Sequence, residues 1–193
     1  SLFVPISCLV TTVNILIVGG GSIAVRHISN IRRLKPNAKV TLWHLSSTTP
    51  VSQRLAIDNM VDRVVYSLQS ALNAKPAAAI ISCPTSLHTK YSSLLAQKGI
   101  SILVEKPLSN SLAELDQLGE MVRENQLTFM VGYNFRFYQP LRDLRGVIDS
   151  GLIGSIISVR AEVGEYLPDW RTYDYRKSTS AQEKLGGGVV FEL

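Results

Sequence analysis

Short apolar runs alternate along this chain with longer stretches whose apolar residues recur at helical spacing. Ile15-Leu16-Ile17-Val18 reads as the end of a strand buried on both faces. A helix is expected over 24–34, with Ile28, Ile31 and Arg32 near one face and Pro36 marking its end. Apolar runs recur at 39–44, 63–66, 77–82, 101–104 and 127–131, each the length of a strand. Between them, 51–59, 69–73 and 86–97 read as helices, the last stopped by Gly99. A longer amphipathic helix is expected over 111–125, with Leu112, Leu115, Leu118 and Val122 on one face. Residues 46–50 read as a polar loop. Strands and helices in this alternation predict an α/β fold, a doubly wound parallel sheet with right-handed crossovers.

The glycines after the first strand are the most informative stretch. Gly19-Gly20-Gly21-Ser22-Ile23-Ala24 fits G-x-G-x-x-[GA], placed after a strand and before a helix. Gly19 permits the tight turn, and the bare Gly21 lets a pyrophosphate approach the backbone. Ala24 lets the helix pack close to the strand, and the free N–H groups of the helix start point at the phosphates. A Rossmann-type dinucleotide-binding domain is therefore expected over 13–134, with 1–12 as an added arm. A helix at 140–150, a turn at 151–154 and a strand at 155–165 open a second, partial domain over 135–193.

Composition narrows the function classes. The chain has 193 residues, 46% hydrophobic and 18% charged, enough for a substantial core. No apolar run approaches the roughly 20 residues of a membrane span, and no basic residue precedes the apolar start, so no signal peptide is expected. The two cysteines, Cys8 and Cys83, suggest no disulfide and a cytoplasmic, reducing setting. The net charge of +5 comes from scattered residues, and the longest basic run is Arg32-Arg33. Nucleic acid is not an expected partner, and no metal is expected.

The second strand ends without the acid that, about 20 residues past the glycines, holds the ribose hydroxyls of NAD. Asp58 is the next acid and lies far along the chain. His44, Ser46 and Ser47 are instead candidate donors to a 2′-phosphate, so the expectation, NADP or NAD, leans toward NADP. Two more stretches fall at strand ends beside the glycine turn: Cys83-Pro84-Thr85-Ser86-Leu87-His88 and Glu105-Lys106-Pro107-Leu108. A lysine there can bond a substrate oxygen and steady negative charge developing on it.

GGGSIA, CPTSLHTKY, ILVEKPLSNS and MVGYNFRF together resemble the glucose–fructose oxidoreductase/inositol dehydrogenase (Gfo/Idh/MocA) family over about 13–193. The resemblance implies a Rossmann domain followed by an α/β domain with a mainly antiparallel sheet, acting on sugars and cyclitols with NAD(P). It implies pyrophosphate contacts at Gly19, Gly21, Ser22 and Ile23. Cys83, Pro84, Thr85 and His88 would line the cofactor path. Glu105 would lie near the nicotinamide, and Lys106 would be the catalytic lysine. Asn134 and Arg136 would face the junction of cofactor and substrate. The family's triple glycine leads to an acid, here Glu192, and then to a catalytic histidine that would fall past Leu193. His27, His44 and His88 do not stand where that histidine belongs.

Tyr166-Leu167-Pro168-Asp169-Trp170-Arg171 looks like a branch associated with bacterial surface-polysaccharide sugars. Trp170 and Arg171 are candidates for substrate binding, or parts of an ordinary loop. Two functions stay open: an oxidoreductase of sugar-like substrates, or a non-catalytic dinucleotide-binding or interaction module. The open edge of the 155–165 strand suggests a homo-oligomer.

Overall fold

The computed structural model describes residues 12–45, 51–164, 166–170 and 174–188. Six strands form one sheet: β1 (Asn14–Val18), β2 (Lys39–Trp43), β3 (Arg63–Val65), β4 (Ala78–Ile81), β5 (Ser101–Val104) and β6 (Phe129–Val131). Their order is β3-β2-β1-β4-β5-β6, and every pairing is parallel. The chain starts at the centre of the sheet and winds outward twice, leaving a switch point between β1 and β4. The connecting helices are α1 (Ser22–Leu34), α2 (Val51–Asp58), α3 (Leu68–Leu72), α4 (His88–Ala96) and α5 (Leu115–Glu124). A further helix, α6 (Gln139–Asp149), follows β6.

Side chains of a strand alternate between faces, so a strand covered on both sides must be apolar throughout. β1 shows this directly. Ile17 packs with Ala24, Ile28 and Ile31 of α1 and with Val40, Leu42 and Ile57. Leu16 and Val18 face the opposite layer, with Ile81, Leu95, Ile102, Val104 and Leu118. At the amino end of the sheet, the Asp62 carboxylate accepts bonds from the Val40 N–H at 2.8 Å, Arg32 at 2.9 Å and Lys39 at 3.0 Å. Burial pushes the Asp62 carboxyl up, but these bonds and the Arg32 charge overcome it and hold it well below the usual range. Arg32, expected near the apolar face of its helix, is thus the clamp that ties α1 to the β2–β3 connection.

Three expectations are corrected. The helix expected over 111–125 forms only from Leu115, because Ser109 and Ser111 hydroxyls accept the N–H groups of Ser111 and Ala113 in local turns. Glu114 then adopts a left-handed conformation, φ +64°, and Leu112 is left exposed. The strand expected over 155–165 is not formed across its described part, 155–164, which is exposed and unpaired with any strand. Alternating side chains give a segment strand character, but a strand needs a partner for its N–H and C=O groups. The expected antiparallel sheet is accordingly absent among the described residues. The helix after the glycines begins at Ser22, two residues earlier than the expected start at Ala24.

Three short turns, Tyr175–Lys177, Thr179–Ala181 and Glu183–Leu185, then bring Gly186 back onto the carboxyl edge of the sheet. Its φ of +83° and a virtual Cβ 2.7 Å from the Thr85 Cβ allow only glycine there.

Urea titration of two truncations tests this layering. Leu42→Ala, in the core, should cost about 2–5 kcal/mol. Ile157→Ala, at 99% exposure, should change stability by less than about 0.5 kcal/mol. A comparable loss at Ile157 would show that 155–164 is packed rather than exposed.

Candidate functional site

The carboxyl ends of the parallel strands share one edge of the sheet, and the switch point between β1 and β4 on that edge is where open parallel sheets bind ligands. The glycine turn is held tightly on two sides. The Gly19 N–H donates to the Trp43 carbonyl at 3.0 Å. The Ser82 hydroxyl donates to the carbonyls of Val18 and Gly19 at 3.1 and 3.3 Å. At φ +95°, a Cβ on Gly19 would stand 2.9 Å from the backbone of Cys83. A Cβ on Gly20 would stand 2.7 Å from the His44 ring. At Gly21 a Cβ would meet nothing within 4 Å. The third glycine therefore faces open space and is free of backbone strain, with φ −80°. No side chain caps the start of α1, and its first turn holds no acid. Uncapped N–H groups beside open space, where Ser22 and Ile23 begin the helix, suit the phosphates of a dinucleotide.

The β4 end is built on buried groups. Cys83 is buried, and that burial pushes its thiol up to about 12, so it stays protonated and unreactive. Pro84 leads into the short turn Thr85–Leu87, whose Thr85 is buried under Gly186. His88, expected on the cofactor path, is buried, with its ring nitrogens 2.7 Å from the Pro107 carbonyl and 2.9 Å from that of Cys83. It therefore ties the β4 and β5 loops together.

At the β5 end, Glu105 reaches back to α1. Its Oε1 lies 2.6 Å from His27 Nε2, and its Oε2 accepts the Lys106 N–H at 3.3 Å. Burial pushes the Glu105 carboxyl up, but the His27 hydrogen bond and charge, with the Lys106 N–H and charge, hold it below the usual range. His27 thus joins α1 to the loop after β5 that carries Lys106. Beyond β6, Asn134 and Arg136 lie exposed on the turn Asn134–Phe137.

His44 corrects the reading of the second strand. Its ring is buried, stacked on Tyr66 at 5.9 Å, and its Nε2 lies 2.8 Å from Asp58 Oδ1. The ring is thus engaged at Nε2 rather than free to donate, and an acid does stand at the end of β2. It comes from α2, which folds it back 14 residues along the chain. His27 and Asp58 are the two residues that spacing along the sequence missed. Trp170 closes the turn Leu167–Trp170, while Ser46, Ser47, Arg171 and Glu192 lie outside the described residues.

The Gfo/Idh/MocA model, an oxidoreductase family with an NAD-binding Rossmann fold, matches residues 13–133. The chain belongs to this family. It is 26% identical over 154 residues to the inositol 2-dehydrogenase of Gluconacetobacter diazotrophicus, covering 78% of this chain and 45% of that protein. Over 80 residues it is 40% identical to the scyllo-inositol 2-dehydrogenase (NAD(+)) of Bacillus subtilis, covering 42% of this chain and 23% of that one. The fold is similar to the WlbA dehydrogenase of Bordetella pertussis, solved with NADH and UDP-GlcNAcA. That match has a TM-score of 0.66 at 22% identity, over 75% of this chain and 42% of the other. The chain spans less than half the length of these Gfo/Idh/MocA relatives.

Two substitutions test the site. Gly21→Val fits its backbone and leaves the fold intact, so it should weaken dinucleotide binding at least about tenfold while urea stability moves by less than about 1 kcal/mol. Equal binding by calorimetry would move the phosphates elsewhere. For Glu105, a native carboxyl held low stabilises the fold above the ordinary glutamate range, about 4.3. That contribution is lost as pH falls through the lowered native value. The stability deficit of Glu105→Gln should therefore be larger near pH 7 than near pH 3, as urea titrations at both will show.

Proposed function

We propose that residues 13–134 form the dinucleotide-binding domain, and 135–193 the start of the substrate domain, of an NAD(P)-dependent oxidoreductase. Its substrate is a hydroxyl or carbonyl of a sugar or sugar derivative. The observation that carries this reading is the uncapped start of α1 beside the open face of Gly21, on the same sheet edge as Lys106. The named relatives act on inositols, and the WlbA structure holds a sugar nucleotide, which supports the substrate class. A surface-polysaccharide sugar is one candidate, supported by the YLPDWR stretch. The NAD(+) named for the Bacillus subtilis relative and the NADH in the WlbA structure, together with a His44 ring already bonded to Asp58, weigh for NAD over the NADP expected from the sequence.

The bound nicotinamide would supply hydride exchange with the substrate carbon. Gly19, Gly21, Ser22 and Ile23 would hold the phosphates. Cys83, Pro84 and Thr85 would wall the cofactor channel, with His88 behind them fixing the loops. Glu105, anchored to His27, would orient the backbone at Lys106. The Lys106 ammonium would hydrogen-bond the reacting oxygen and favour its alkoxide-like state. Asn134 and Arg136 would meet the substrate side, with Trp170 and Arg171 as further contacts.

Nicotinamide absorbance with a panel of cyclitols, sugars and sugar nucleotides tests this reading. Lys106→Ala should lower kcat/KM about 10²–10³-fold and leave the Kd for cofactor within about threefold. Unchanged turnover would remove Lys106 from the reaction, and failure to bind any dinucleotide would overturn the function.

A further inference from the structure

We propose that the buried His44, paired with Asp58, is the cofactor selector of this chain, taking the adenosine ribose hydroxyls of NAD(H) and disfavouring the 2′-phosphate of NADP(H). This rests on the dinucleotide reading above and goes beyond it to the ligand's identity.

His44 directly follows β2, beside the glycine turn at the switch point. A Cβ on Gly20 would lie 2.7 Å from its Cε1 and 2.9 Å from its Nδ1, so these two atoms lie against the turn. The opposite nitrogen, Nε2, is taken by Asp58 Oδ1 at 2.8 Å. An ionised carboxylate only accepts hydrogen bonds, so in the neutral ring Nε2 carries the proton. Nδ1 then keeps its lone pair. Among the described residues, Nδ1 has no hydrogen-bond partner and Asp58 Oδ2 has none either. A side chain only 2% exposed thus presents one unused acceptor next to the turn, and its partner carboxylate has another.

Ribose hydroxyls can donate to such acceptors. A 2′-phosphate brings acceptor oxygens and negative charge, and would face a lone pair and a carboxylate. Asp58 itself stays 22% exposed, so its charge reaches the adjoining solvent. Arg54, four residues earlier on α2 and so on a neighbouring face of the helix, is the competing cation. Its Nε is buried without a partner, and its charge offsets part of that of Asp58. The tautomer set by Asp58 therefore carries the discrimination more than net charge does. The pair replaces the acid that strand β2 lacks, with the carboxylate acting through the imidazole.

Nicotinamide fluorescence titrations of the 193-residue chain with NADH and NADPH test the inference. The unaltered chain should bind NADH at least about tenfold tighter. Asp58→Asn releases the ring to either tautomer and removes the charge, and should cut that ratio to about threefold or less, chiefly by strengthening NADPH. His44→Phe keeps a flat ring without the acceptor, and should weaken NADH while leaving NADPH within about twofold. Nitrogen-15 shifts should show the proton of the neutral His44 ring on Nε2. Equal or tighter binding of NADPH by the unaltered chain overturns this inference alone. So does a ratio unmoved in an Asp58→Asn variant of unchanged circular dichroism, or a ratio set by Arg54→Ala instead. Binding of neither dinucleotide overturns the proposed function, and this inference with it.

Discussion

The structure depends on how closely the Gly19–Gly21 turn is pressed against the ends of β2 and β4. A side chain at Gly19 would enter the Cys83 backbone, and one at Gly20 would enter the His44 ring. Only because both side chains are missing can β1 sit between β2 and β4 and still turn at once into α1. The third glycine is different, since it obeys no packing constraint and opens outward. Two glycines are therefore required by packing, and the third leaves the turn open on its outer side. The close approach also sets the uncapped amino end of α1 at the carboxyl edge of the sheet, where open parallel sheets bind ligands.

The three histidines of the chain are all ties at that edge. His27 links α1 to the end of β5 through Glu105. His44 links the end of β2 to α2 through Asp58. His88 links the loops after β4 and β5 through two carbonyls. An imidazole can join two groups on opposite sides of a flat ring, which suits it to the gap between adjacent strand ends. The helix after the glycine turn and the lysine-bearing loop are thereby held in one frame.

Much of this was legible in the sequence, and for physical reasons. A parallel sheet covered on both faces demands uninterrupted apolar strands, so ILIV and its fellows declare themselves. The spacing of helix and strand gave the winding, and G-x-G-x-x-A located the turn because backbone proximity to a phosphate excludes side chains. The strand ends carrying Cys83 and Lys106 followed from the general rule that parallel sheets bind at their carboxyl edge. These features depend on contacts a few residues apart or on a periodicity that every face of the sheet repeats.

Tertiary structure decided the rest. Asp58 looked too distant from β2 because separation along the chain says nothing of where a returning helix sets its side chains. His27 carried no local signal, since its partner lies 78 residues away, just past the end of β5. Arg32 read as part of an apolar face until Asp62 arrived beside it. The 155–164 segment has the alternation of a strand, but pairing is a property of two segments, and no second one meets it among the described residues. Local pattern determined the six strands of the sheet, most of the helices and the edge at which a ligand is expected. The polar partnerships that tune that place are long-range, so folding alone assigned them.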